Sequence, residues 1–165
     1  MSGVLFLHMN DIVKKGLGGW LILVGIGVVF NPINQIYQLN LIYKDTIGAV
    51  YWKFLITPNS ESYVPYLQPL IISELIGCVI FTIASLYMIY LFFKEKKLFP
   101  KFFCYFMFFN ALWVCVDAFF AMLVFPDEQL DSETIREMIR VTIVCSIWIP
   151  YMLVSKRVAA TFIKY

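Results

Sequence analysis

The sequence has little of what soluble chemistry is usually built from. Only 15% of its 165 residues are charged, and it carries a single histidine, His8. His8 has no partners at ligand spacing, so the chain offers no metal site and no histidine base within an apolar run. Cys78, Cys104, Cys115 and Cys145 form no C-x-x-C pair, and all four sit in apolar stretches. A membrane thiol oxidoreductase wants paired cysteines in or beside an external loop, so that class is set aside. The four read as small buried hydrophobes. Formal net charge is only +2, with no long basic run and no zinc-finger or RNA-reading motif, which leaves nothing for nucleic acid to hold. MSGVLFLHMNDIVKK places its charges after its apolar stretch, with no A-x-A-like site following, and does not read as a secretory signal. Ser73, Ser85 and Ser146 are not matched to a base, so no enzyme constellation and no cofactor are expected.

What is present is apolar surface. Hydrophobic residues make up 61% of the chain, aromatics 18%, and mean hydropathy is +0.80. One soluble core of this length has too large a surface-to-volume ratio to hide so much, so lipid must serve as part of the solvent. Four runs approach the roughly 20 residues needed to cross a bilayer. The spans are expected at 17–38, 70–93, 102–125 and 133–154. The first weakens at Asn31-Pro32, so its helix is expected to continue past Pro32 toward Tyr37 or Leu39. Gly16, Gly18, Gly19, Gly25 and Gly27 mark it as a close-packing helix, and Pro150 in the fourth reads as a static kink. The fold class is therefore an all-α integral membrane protein of four transmembrane helices in one domain.

The basic residues set its direction. Lys14, Lys15, Lys94, Lys96, Lys97, Lys101, Lys156, Arg157 and Lys164 fall on one side, against Lys44, Lys53, Arg136 and Arg140 on the other. The nine-to-four bias predicts that both termini are cytoplasmic. Acidic residues such as Asp127, Glu128 and Asp131 favour the opposite, external side. Trp20, Tyr151 and Tyr165 belong to an inner aromatic belt, and Tyr51, Trp52, Tyr63 and Tyr66 to an outer one. In the external loop at about 40–64, Tyr43, Ile47, Val50, Tyr51, Phe54 and Leu55 recur at helical spacing, which predicts an interfacial helix ended by TPNSES.

The apolar stretch from Val141 to Val154 is too short to cross alone, so the fourth helix must include Arg136 and Arg140. Asp131 or Ser132 is the expected N-cap, with Glu133 and Glu137 near the positive end of the helix dipole. At 1.5 Å per residue, Arg140 lies about 21 Å from the inner end of its span, Asp117 about 22 Å, and Asn31 again about 21 Å. Arg136 and Glu74 come out at about 27 and 28 Å. An unpaired charge at the centre of a span costs about 2.5–3.5 kcal/mol, and a carboxylate held in the guanidinium fork offsets much of it. The expectation is an outer-leaflet cluster of Glu74, Asp117, Arg136 and Arg140, with Asn31, Gln35 and Asn110 as hydrogen-bond partners. Two readings of it stay open: ion pairs that only fix which helices meet, with Arg136 snorkelling to the interface, and a site that binds or moves something.

GLGGWLILVGIG, YVPYLQPLIISELIG, VDAF around Asp117, ETIREMIR and IWIPYMLVSKRVAATF occur in an order that resembles the bacterial inner-membrane family catalogued as domain of unknown function 2569. The resemblance runs from Gly16 to Phe162. It implies a small four-span protein of the bacterial inner membrane, includes Glu74, Asp117, Arg136 and the Trp148–Tyr151 motif among its recurrent pieces, and implies no activity. Two functions follow as expectations. One is a non-enzymatic binding or structural protein whose charged cluster holds a lipid head group or a membrane-protein partner. The other is a small oligomeric transporter or proton-coupled channel that titrates Glu74 and Asp117.

Overall fold

The computed structural model describes residues 16–125 and 132–164. His8, Lys14, Lys15, Asp127, Glu128, Asp131 and Tyr165 lie outside the described residues. The helices are α1 (Trp20–Leu41), α2 (Trp52–Ile56), α3 (Leu67–Phe93), α4 (Phe99–Val124), α5 (Ser132–Val154) and α6 (Lys156–Thr161). Among the described residues there is no strand. α1, α3, α4 and α5 are each long and apolar enough to cross a membrane. α1 packs on α3, α3 on α4 and α4 on α5. α1 and α5 meet where the edge of Trp20 approaches Trp148, with ring centroids 6.4 Å apart.

α1 runs through Pro32, which is buried on the same stripe as Leu21, Val24 and Val28. Losing one backbone hydrogen bond does not end a helix whose alternative is an exposed peptide in hydrocarbon. α4 begins at Phe99 with Pro100 in its first turn, where the missing N–H has no helical partner to lose. The loop helix is shorter than its apolar spacing suggests. Ile42–Ile47 extends α1 as a π-helical turn, closed by Gly48 N–H donating to the Tyr43 carbonyl at 2.6 Å. Only Trp52–Ile56 forms a separate helix, and it buries no residue. The same spacing therefore serves the end of one helix and the start of another, broken where Gly48 to Tyr51 turn.

The core lies at the Lys-rich end. It joins Leu21, Val24 and Val28 of α1, Met88, Leu91 and Phe92 of α3, Phe99, Phe103 and Phe106 of α4, and Met152, Val158 and Phe162 near the C-terminus. Phe162 stacks on Phe99 with centroids 4.5 Å apart and lies 5.9 Å from Phe92. α6 reaches this position because Ser155 breaks from helix into extended backbone, and its hydroxyl accepts from Val158 N–H as a new N-cap. α5 itself buries only Met152, so most of its apolar surface faces outward.

Two backbone devices tie the ends of the chain to this core. Arg157 Nε donates to the Gly16 carbonyl at 3.4 Å, and Gly16 N–H donates to Thr161 Oγ1 at 3.2 Å. A Cβ at Gly18 or Gly19 would lie 2.6 or 2.8 Å from the Arg157 guanidinium, and Gly19 has φ +60. The GLGG segment thus wraps a guanidinium that any side chain would displace, and it precedes α1 rather than lending α1 small faces. The second device closes α3. Glu95, at φ 51, follows the helix end, with Glu95 N–H donating to Phe92 O and Lys96 N–H to Leu91 O, both at 3.0 Å. That is the Schellman pattern, carried by a glutamate where glycine is usual. The tail braces it: Lys164 N–H donates to Glu95 O at 3.2 Å, Lys97 N–H donates to Lys164 O at 2.7 Å, and Lys164 Nζ pairs with the Glu95 carboxylate at 2.7 Å.

Further along the bundle, α3 and α4 approach through Gly77, where an added Cβ would sit 2.5 Å from the Trp113 ring. Gly27 on α1 has nothing within 4 Å of such a Cβ. Gly77→Ala is expected to cost about 1–3 kcal/mol of stability through overpacking. Gly27→Ala should be neutral or slightly stabilising, because alanine is the better helix former. Thermal unfolding of both variants in one detergent checks the difference.

Candidate functional site

Above the Trp20–Trp148 contact, α1 and α5 separate. The space between them is a lateral groove of ≈ 690 Å³, floored by Phe103, Met107 and Asn110 of α4 and by Met88 of α3. On α1 the lining positions step through Val24, Val28, Asn31 and Gln35; on α5 they step through Trp148, Val144, Val141 and Glu137. Both series are single helical faces. Because the two helices run in opposite directions, the series change character at matching heights. From the tryptophan contact, Asn31 is about 16 Å along α1 and Glu137 about 16 Å along α5, with Arg140 about 12 Å along. Below about 12 Å the lining of α1 and α5 is apolar; from there upward stand Arg140, Glu137, Asn31, Asn34 and Gln35, and Asn110 of α4 joins the lining.

Arg140 and Glu137 form an ion pair of 2.5 Å, three residues apart on one helix, with side chains 58% and 39% exposed. Exposure at that level leaves the guanidinium able to bond a second group. Asn31 contributes the other unusual feature: its Oδ1 is buried and has no hydrogen-bond partner among the described residues. A buried acceptor without a donor costs about 1–3 kcal/mol, so the groove presents an unmet demand for a donor beside a cation.

The four charged residues expected to cluster divide into separate settings. Among the described residues, no ion pair joins Glu74 or Asp117 to Arg136 or Arg140. Arg140 pairs with Glu137 instead, and Arg136 is exposed. The reason is local. A partner one turn away on the same helix is already in place, whereas a partner on another helix must be brought there. Glu74 and Asp117 are half-buried and lie within electrostatic range of each other across α3 and α4, with Cys78 nearby. Asp117 follows Trp113 by one turn, on the stripe that packs against Gly77 and Phe81 of α3. Asn31, Gln35, Asn110 and Arg140 do line one cavity, joined there by Asn34 and Glu137. Those last two were missed. Asn34 sits between Asn31 and Gln35 in sequence, a concentration of amides in one helical turn, and Glu137 was read only as a dipole partner.

Among the described residues, no group of three or more histidine, cysteine, aspartate and glutamate side chains could hold a metal ion. The family model described as "Protein of unknown function (DUF2569)" matches residues 14–163. The chain belongs to that family. No curated protein and no solved structure matches it. In this family member the match covers α1 to α6, and therefore both walls and the floor of the groove.

The groove geometry has a direct check. In a chain with its four cysteines replaced, Asn31→Cys together with Arg140→Cys should be joined by a short bifunctional thiol reagent. Asn31→Cys with Ile139→Cys should not, because Ile139 is outward-facing and outside the groove lining. Mobility of the two products on a denaturing gel gives the answer.

Proposed function

We propose that this is a non-enzymatic multi-pass membrane protein whose α1–α5 groove holds a phospholipid from the side. The observation that carries the reading is the change of character along one continuous cavity. Apolar walls lie toward the middle of the bundle, and a paired guanidinium, a carboxylate and four amides lie toward the end opposite the Lys-rich core. An acyl chain fits the first part and a phosphate with a hydrogen-bond-donating head group the second. The Arg140 fork would meet phosphate oxygens, and a head-group ammonium or hydroxyl would supply the donor that Asn31 Oδ1 lacks. The volume falls within the range of about 300–1,000 Å³ typical of small-ligand sites.

The lysine and arginine bias supports termini in the cytoplasm and the polar end of the groove in the outer leaflet. The family resemblance supports a bacterial inner membrane. The outward apolar faces of α4 and α5 would meet lipid, a membrane-protein partner or a second copy of the chain. A second reading, a proton-coupled transporter, is favoured by one observation: Glu74 and Asp117 lie within electrostatic range of each other across α3 and α4. Proteoliposomes whose pH-dependent flux is absent, or is unchanged by Glu74→Gln, would remove it.

For the lipid reading, the intact protein is purified in mild detergent and its retained phospholipid is quantified by native mass spectrometry. Wild type is expected to carry lipid. Arg140→Ala should lower occupancy roughly tenfold or more, the worth of a charge-assisted hydrogen bond. Gly27→Leu should do the same by filling the groove from a position with open space around it. Equal occupancy in all three proteins, or none in wild type, would defeat the reading.

A further inference from the structure

The polar end of the α1–α5 groove has an order of its own. Measured from the Trp20–Trp148 contact, Arg140 stands about 12 Å up α5, and Glu137 and Asn31 line the same cavity about 16 Å up, on opposite walls. An acyl chain seated in the apolar part therefore leads first to a cation. One helical turn higher it leads to a carboxylate and an amide oxygen.

The ion pair does not use these groups up. A single contact of 2.5 Å joins Arg140 Nη2 to Glu137 Oε1, and the two side chains stay 58% and 39% exposed. The guanidinium fork has further N–H donors and the carboxylate a second oxygen, so both can engage a ligand at the same time. Asn31 Oδ1 can only accept, and it is buried without a partner among the described residues. The upper level thus suits a group that brings positive charge and hydrogen-bond donors together.

We infer, on the basis of the lipid reading of this groove, that it selects a zwitterionic phospholipid whose ammonium carries N–H, an ethanolamine head group. The phosphate lies on Arg140, and the ammonium lies between Glu137 and Asn31. The two-carbon link between phosphate and ammonium has about the reach of the three-residue step from Arg140 to Glu137, about 4.5 Å. A glycerol head group supplies a donor for Asn31 but leaves a net anion beside Glu137. A choline head group supplies the charge but has no N–H for Asn31 Oδ1.

The test equilibrates the intact protein in mild detergent with equal amounts of phosphatidylethanolamine, phosphatidylcholine and phosphatidylglycerol of identical acyl chains. Native mass spectrometry then reads the total lipid retained and the share of each head group. The total tests the groove as a lipid site and the shares test its selectivity, so the two can fail separately. Wild type should hold phosphatidylethanolamine about tenfold over each of the others, the worth of one hydrogen bond to a charged group. Asn31→Leu should cut the preference over phosphatidylcholine to about twofold or less, and Glu137→Gln should do the same to the preference over phosphatidylglycerol, with total lipid kept in both. The N-methyl derivative of phosphatidylethanolamine, which retains N–H, should bind like the parent. Millimolar phosphoethanolamine, the head group without chains, should displace nothing. Equal shares in wild type, shares that neither substitution moves, or an N-methyl lipid that behaves like the choline lipid would overturn the inference while the retained lipid still upheld the groove. Displacement by phosphoethanolamine would overturn it by assigning the site to the free ester, and wild type that retains no lipid would defeat both readings.

Discussion

The stack of Phe162 on Phe99, with Phe92 against both, is the contact on which the rest of the structure depends. Between transmembrane helices hydrocarbon exerts no hydrophobic pull, since lipid tails are as apolar as leucine. Helices in a bilayer need close packing, and this chain concentrates it at one end. The C-terminal helix is folded back to supply Val158 and Phe162, and α1, α3 and α4 each contribute aromatic or branched residues to the same place. Arg157 in the GLGG segment and Lys164 on the α3–α4 turn then fix both termini of the described chain around it.

Closure at one end permits opening at the other. α5 buries a single residue, Met152, near its lower end, so nothing clamps its upper half to α1. The Trp20–Trp148 edge contact is the last point where the two helices touch through their rings, and the groove starts just above it. A bundle packed evenly along its length would have no such space. The polar residues lining it also carry a cost that packing alone does not explain. Asn31 Oδ1 is buried without a donor although a glutamine and two further asparagines line the same groove.

Much of this was legible in the sequence, because helices in hydrocarbon have a fixed rise. Counting 1.5 Å per residue placed Asn31 and Arg140 at the same depth, and they line one cavity. The four spans follow from the lengths of the apolar runs, and the continuation through Pro32 from the lack of any other partner for the backbone. Rotation about each helix axis was not legible. Depth alone allows Asp117 to face Arg140; the Trp113–Gly77 contact turns it toward Glu74 instead, and Glu137 outcompetes it by proximity along the chain. The double role of the 42–56 stretch was hidden too, since one apolar spacing suits a helix end, a turn and a new helix equally. Arg157 looked like an ordinary tail cation because only the three-dimensional return of α6 brings it to the glycines.

The charge in the groove is balanced locally. In the groove, the cation and the anion stand one turn apart on α5, so a ligand bound there as proposed would meet little net field and would be held by directed hydrogen bonds. Such a site would discriminate by the pattern of donors and acceptors, and would tolerate a neutral or zwitterionic head group.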